Sequence, residues 1–233
     1  MASPSVPYLL RLLLVISLWR SAPGFVLPLP GSVHLPHEHA ATQRTAAAAS
    51  PTEGFLDIGA EKTKLMEIVS TTSMGTDEAV SASEEIDAII ARLESVGQGF
   101  QEAEVDGSWQ LVYTRNSQGS PQLQKVFSKN QGFQNFDVGS KLFHNVVNIL
   151  GGRVKVLADV AYEVNADKPE RLEAEIVGAG VKLGPLRIPL PLKGRVGFLE
   201  FVYQDEDIRV TCGNRGGVFV HVRPQSILAP RGA

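Results

Sequence analysis

RVKVLADVAYEVN (residues 153–165) alternates along its whole length. Val154, Val156, Ala158, Val160, Tyr162 and Val164 fall on one face of an extended chain, while Lys155, Asp159, Glu163 and Asn165 share the other with Leu157 and Ala161. Successive side chains of a strand point to opposite faces, so the pattern predicts a strand that buries one side. One-sided strands belong to antiparallel sheets packed over a single core. A turn, ADKPE (residues 166–170), follows, and residues 171–177 alternate again through Leu172, Ala174 and Ile176.

Upstream, VDGSWQLVYT (residues 105–114) turns on Gly107 and then alternates, with Trp109, Leu111 and Tyr113 on one face and Gln110, Val112 and Thr114 on the other. A tryptophan straight after a Gly-Ser turn fits a plug across the closed end of a small barrel, where its large apolar area fixes the floor. Further strands are expected over residues 133–138, 142–150, 197–203, 208–212 and 218–223, each bounded by Gly, Asp, Asn or Pro. Before Trp109 the period is helical. Residues 61–70 place Leu65, Ile68 and Val69 at helical spacing and stop at Gly75-Thr76. SASE (residues 81–84) reads as a capping box, with Ser81 as the cap and Glu84 reaching back. The helix that follows, to about residue 96, sets Ile86, Ile89, Ile90 and Leu93 on one face until Gly97 stops it. Two short helices followed by about eight one-sided strands suggest a closed barrel or a sandwich.

The 233 residues carry a formal charge of −3 and one cysteine, Cys212. That charge argues against a nucleic-acid partner, which needs a clustered basic surface. The lone thiol excludes an internal disulfide and any cysteine-based zinc site. HLPHEH (residues 34–39) groups three histidines, but Pro36 interrupts it and it lies in a segment expected to be removed. His144 and His221 then remain as the only histidines, so no metal is expected. No Ser-His-Asp pattern, G-x-S-x-G elbow or H-E-x-x-H is present. Accordingly no catalytic residue, no cofactor and no enzymatic activity is expected.

At the N-terminus, YLLRLLLVISLW (residues 8–19) is apolar apart from Arg11. It is shorter than the ~18–20 residues that span a bilayer and has the length of a signal-peptide core. Ala22-Pro23-Gly24 supplies small residues for cleavage, and Phe25 comes next. Residues 26–52 are rich in Ala, Ser, Thr and Pro, with Glu38 their only acidic group, a transit-like composition. The arrangement resembles the bipartite presequence of algae with complex plastids, in which phenylalanine opens the transit part. It implies a signal peptide over 1–24, a transit-like presequence or linker over 25–52, and delivery to a plastid. The mature chain then divides into a helical region (53–100), a barrel domain (101–225) and a tail (226–233).

VKLGPLRIPLPLKGR (residues 181–195) is unlike the strands around it. Pro185, Pro189 and Pro191 argue against a central strand there. Leu183, Leu186, Ile188, Leu190 and Leu192 make it apolar, and Lys182, Arg187, Lys193 and Arg195 surround them. It reads as a lid over a barrel mouth, as a membrane-contact loop through Leu186, Arg187, Ile188, Leu190, Leu192 and Lys193, or as an ordinary packed loop. DED (residues 205–207) reads as an acidic hairpin turn with Arg209 and Arg215 as salt-bridge partners. CGNRGG (residues 212–217) runs into the strand VFVHV rather than into a helix, so it is a turn and not a phosphate cradle.

Three pieces in order, SWQLVYT (108–114), LFHNVVNIL (142–150) and VYQDEDIRVTCGNRGGVFVHVR (202–223), resemble the fibrillin family of plastid lipid-associated proteins. The Leu93-Glu94 pair before the opening motif and the Asn145-Val146 step match the family pattern. So does the closing signature through Tyr203, Asp205, Asp207, Arg209, Gly213, Gly216 and Phe219-Val220. The chain departs at Gln204, where the family often has leucine, at Cys212, where it often has arginine, and at His221, which has no counterpart in the pattern. The resemblance implies a mainly β fold, a lipocalin-like antiparallel β-barrel preceded by two short helices. It also implies binding or organisation of an apolar lipid, a prenyl quinone or a carotenoid at plastoglobules or thylakoids. On that reading the barrel wall comprises Leu111, Tyr113, Val156, Val160, Tyr162, Ile176, Phe201 and Val220, with Trp109 as a structural floor. The alternative is a structural adaptor with a filled barrel that docks on thylakoid membranes or photosynthetic complexes.

Overall fold

The computed structural model describes residues 56–76, 79–115, 130–214 and 216–230. Both presequence segments, the HLPHEH run and Arg215 lie outside the described residues. The chain divides into two units at Asp57/Ile58, and every described helix and strand belongs to the second. Three helices come first: α1 (Ile58–Thr71), α2 (Val80–Glu94) and α3 (Glu102–Val105). Nine strands follow: β1 (Gly107–Arg115), β2 (Gln131–Asp137), β3 (Leu142–Ile149), β4 (Val154–Val164), β5 (Arg171–Leu183), β6 (Leu186–Pro189), β7 (Val196–Gln204), β8 (Ile208–Gly213) and β9 (Val218–Val222).

The strands pair antiparallel in the order β4-β3-β2-β1-β9-β8-β7-β5-β6, and β4 also pairs with β5. That last pairing closes a lipocalin-like ring, to which β6 is attached as an edge. Strand β5 shares one side entirely with β4 but divides the other. Its first part, Arg171–Glu175, pairs with β7, and its last part, Gly180–Leu183, pairs with β6. The ring is therefore laced shut at the end of the 166–170 turn and opens at the end where β5 leaves β7 and takes up β6. We call these ends the floor and the mouth.

The 181–195 stretch is thus a strand, turn and strand as far as Pro189, and only residues 190–195 form a loop. Its first three residues complete β5, a turn forms at Gly184 (φ +57°), and β6 runs back as far as Pro189. Proline is accommodated because β6 is an edge strand.

Helices α1 and α2 lie on the outside of the sheet over β1, β7, β8 and β9. Leu65 and Val69 of α1 and Ile86, Ile89, Ile90 and Leu93 of α2 are buried against Tyr113, Tyr203, Ile208, Val210, Val220 and Val222. The i, i+3, i+4, i+7 spacing on α2 supplies that stripe. Arg92 donates to both carboxylate oxygens of Glu61, at 2.9 and 2.7 Å, and fastens the two helices together. The capping box does not form: the N-cap is Ala79, without a side-chain cap, and Ser81 lies inside the first turn. Gly97 passes so close to β7 that a Cβ there would lie 2.6 Å from the Val202 carbonyl oxygen. Its role is close approach as well as helix termination. The short helix α3 was not anticipated, because four residues carry no legible period.

The acidic turn between β7 and β8 is held from α1. Lys62 Nζ lies 2.8 Å from Asp205 and 3.4 Å from Asp207, so the partner of this turn is Lys62 and not Arg209. Asp205 also accepts from the Tyr203 hydroxyl (2.7 Å) and from the Asp207 and Ile208 amides (2.9 Å each). Burial pushes the Asp205 carboxyl up, but these donors together outweigh it and hold the group below its ordinary 3.8. A carboxyl lowered on folding contributes stability above its unfolded pKa and loses it as pH falls through the folded value. Asp205→Asn should therefore cost about 1–3 kcal/mol at pH 7. The deficit should shrink as pH drops below 3.8. Urea unfolding at pH 7 and pH 3 measures it, and an equal deficit at both would contradict the assignment.

Candidate ligand site inside the barrel

Cross-strand neighbours share a face, so the register assigns every inward position. The row nearest the floor joins Phe136, Phe143, Val160 and Ile176. The next joins Trp109, Gln134, Asn145, Ala158 and Ala179. Above it come Val147, Val156 and Val181, and at the rim Ile149, Val154 and Leu183. Leu111, on β1, faces inward opposite Gly132 and His221.

The floor is aromatic. Phe136 stacks on Phe143 with centroids 4.9 Å apart, Phe136 lies 5.6 Å from Tyr162, and Phe100 closes the end against Phe201 at 4.9 Å and Tyr162 at 6.2 Å. Burial first, then nearby carboxylates, push the Tyr162 hydroxyl up to about 12. Trp109 is fully buried, and its Nε1 donates to the Val105 carbonyl at 2.7 Å. The short helix α3 thus ends on the floor tryptophan. Two guanidiniums flank the indole, Arg223 at 3.9 Å and Arg209 at 4.9 Å from the ring centroid. On the inner wall Asn145, Val147, Val156, Ala158, Leu199 and Phe219 are half-buried, whereas Val154 and Val181 are buried.

Of the wall residues expected from the sequence, Leu111, Val156, Val160, Tyr162, Ile176 and Phe201 face the interior. Tyr113 and Val220 do not. A bulge between Leu111 and Tyr113 shifts the register, so Tyr113 falls on the helix side beside Val220 and Val210. A second bulge, between Phe201 and Tyr203, likewise sends Phe201 inward and Tyr203 outward.

The largest departure from expectation is Arg209, which is a fully buried inward residue and not a surface partner of the acidic turn. Its Nη2 donates to Gln134 Oε1, and Gln134 Nε2 donates to Asn145 Oδ1 at 3.0 Å. Its guanidinium also lies 5.0 Å from the Phe136 ring and 5.5 Å from the Phe201 ring. His221 faces it across the β8–β9 pairing. Burial, and secondarily the Arg209 charge, push the His221 imidazole far below 6.5, so it is neutral at pH 7. Gln134, Asn145, Thr211 and His221 complete a polar interior that alternation alone had not singled out. The signal was present in IRVTC (208–212), where Arg209 and Thr211 alternate with residues that the helices cover.

At the mouth, Leu150 is 59% exposed, Leu183 50%, Leu186 55% and Ile188 44%. Lys193 is exposed, Leu192 half-buried, and Leu190 buried, with its amide on the Ala179 carbonyl at 3.0 Å. Leu190 is therefore a packing residue and not a contact residue. On the outer face of the same strands Lys155, Lys182 and Arg187 form one cross-strand row. Arg187 reaches Asp159 at 3.2 Å, and Asp159 in turn holds His144 Nδ1 at 2.8 Å. A separate open groove of 490 Å³, lined by Ser140, Lys141, Ala161, Tyr162, Glu163 and Val164, runs along the floor edge. Gly213 and Gly216 shape the β8–β9 turn, in which Gly216 (φ +67°) donates to the Gly213 carbonyl at 2.9 Å.

A closed antiparallel barrel with an aromatic floor, two covering helices and an accessible inner wall defines a lipocalin-like protein. The PAP_fibrillin family model matches residues 60–222, which takes in both long helices and nearly all of the barrel. The chain belongs to the PAP/fibrillin family of plastid lipid-associated proteins. No curated protein and no solved structure matches it.

Trp109→Ala should cost about 3–5 kcal/mol, as expected for emptying a fully buried aromatic site. Trp109→Phe should cost far less, and chemical unfolding of both variants measures the difference. A near-neutral Trp109→Ala would show that the floor does not rest on this ring.

Proposed function

We propose that the protein carries one apolar lipid in its barrel and docks by the barrel mouth on the surface of a plastoglobule or thylakoid. The ligand class is a prenyl quinone, a carotenoid or a related lipid, and the mechanism is non-covalent. The observation that carries this reading is the coincidence of the accessible inner wall with the apolar rim at the mouth. Leu183 and Leu186 stand in register at the rim, with Leu150 in the adjoining turn and Ile188 one row below. Burying apolar chain against such a wall is worth ~25 cal/mol per Å². With the rim in the bilayer boundary, the Lys155, Lys182 and Arg187 row lies at headgroup depth, where anionic lipids attract it. A lipid then passes between membrane and barrel without crossing water. Among the described residues no helix is long and apolar enough to cross a membrane, which agrees with a peripheral mode. The signal-and-transit presequence read from residues 1–52 supports delivery into a complex plastid.

The exposed rim equally supports a second reading, an adaptor that docks by the mouth and holds no ligand. Native mass spectrometry of the full chain, after incubation with a plastid pigment and quinone extract, separates the two. A stoichiometric lipid supports the carrier, whereas a folded, empty protein leaves only the adaptor. Docking is tested apart from carriage by flotation on anionic liposomes. Replacing Leu183, Leu186 and Ile188 together with Ser should abolish flotation while leaving the unfolding midpoint nearly unchanged. Lys155→Gln with Lys182→Gln should weaken liposome binding at low salt by about 2 kcal/mol, roughly 30-fold. Undiminished flotation of both variants would refute mouth docking.

A further inference from the structure

Arg209 is the one arginine that the described structure seals completely from solvent, and it is sealed without a counter-ion. Among the described residues its only side-chain hydrogen bond runs from Nη2 to Gln134, a neutral amide, and Nε and Nη1 have no partner there. The rings of Trp109, Phe136 and Phe201, at 4.9, 5.0 and 5.5 Å, attract the cation but accept none of its N–H groups in place of an oxygen. A buried unpaired charge is among the most costly arrangements a fold can hold, and apolar replacement of such groups commonly stabilises. Three further polar atoms on inward residues, His221 Nδ1, Thr211 Oγ1 and the Tyr162 hydroxyl, are also buried without partners. These groups share the lower part of the same barrel, beneath the half-buried wall of Val147, Val156 and Phe219.

We infer that Arg209 is the anchor for a lipid that enters tail-outward and carries a single carboxylate head. This rests on the reading of the barrel as a lipid carrier and narrows its ligand, from neutral quinones and carotenoids to a related lipid that is an acid. The head accepts from the free guanidinium N–H groups, a charge-assisted contact stronger than a neutral one. The acyl chain runs up the apolar wall toward the rim leucines. From the Asn145 row to the Ile149 row that path is roughly 13 Å along the strand. Charge selects a carboxylate over a phosphate. Arg209 supplies one positive charge, and burial, then repulsion from Arg223, lowers it only to about 9, so it is protonated at neutral pH. Arg223 offers the head no second donor, since its Nη1 and Nη2 donate to the Asp106, Ser108 and Glu104 carbonyls. A phosphomonoester, at about −1.5 to −2, would leave excess charge buried, and a neutral carbonyl would leave the guanidinium uncompensated.

The test compares palmitate, methyl palmitate and hexadecyl phosphate as ligands of the full chain by titration calorimetry. Palmitate should bind about 10–100-fold tighter than its ester. In Arg209→Met that preference should fall to near unity while ester binding persists, and the unliganded variant should unfold at an equal or higher temperature than the native chain. Equal binding of acid and ester by the native chain overturns the carboxylate anchor but leaves the carrier standing. Tighter binding of the phosphate overturns the choice of head. Failure of all three lipids to bind overturns the anchor, while the carrier stands or falls on the mass-spectrometric search of the pigment and quinone extract. An Arg209→Met variant that keeps the acid preference assigns the head elsewhere and also overturns the inference.

Discussion

Everything in this fold depends on how strand β5 divides its second edge. Eleven of its positions pair with β4, but five then go to β7 and four to β6. The division is possible because the β4–β5 ladder is bulged at Asp159/Val160, and because Ile176 exchanges hydrogen bonds of 2.8 Å with Arg195 and Gly194 where the two partners part. A bulge bends and twists the strand that carries it. The result is a ring tight at one end and open at the other, with the aromatic floor at the first end and the apolar rim at the second.

Within that ring, apolar and polar surfaces are distributed in reverse of the usual order. The outside of β1, β7, β8 and β9 is the driest part of the molecule, because α1 and α2 bury Tyr203, Ile208, Val210, Val220 and Val222 there. The inside of the same strands carries Arg209, Thr211 and His221. The dry core and the polar groups are thereby placed on opposite faces of one sheet. The helical side supplies the apolar core that a barrel with a polar interior lacks.

This inversion also explains what could be read from the sequence. The period of β4 and the start of β5, the stripe on α2 and the floor tryptophan were all legible, because each has one dry face and one wet one. The sides of Tyr113 and Val220 were not. A strand buried on both faces loses its alternation, and β8 is buried at each of its first four positions. Moreover, one extra residue at Val112 reverses the parity of all that follows in β1. The 181–195 stretch was read as a loop because its prolines argue against a central strand, and nothing local announces that β6 is an edge. Arg209 was assigned to the acidic turn by sequence proximity, whereas Lys62, more than a hundred residues earlier, holds that turn. The closing family signature nevertheless pointed to these positions before their roles were visible.

The free edge of β6 bears on how two copies of the chain can meet. An unpaired strand at the rim of an open barrel is a template on which a second chain could add its own strand. Here the edge is only four residues long, ends on a proline with no amide to offer, and is preceded by another at Pro185. Arg187 lies in the middle of it, drawn across β5 toward Asp159 over Gly180, where a Cβ would come within 3.3 Å of the Arg187 Nε. The same prolines that disguise this strand in the sequence protect it from pairing edge to edge with a second chain.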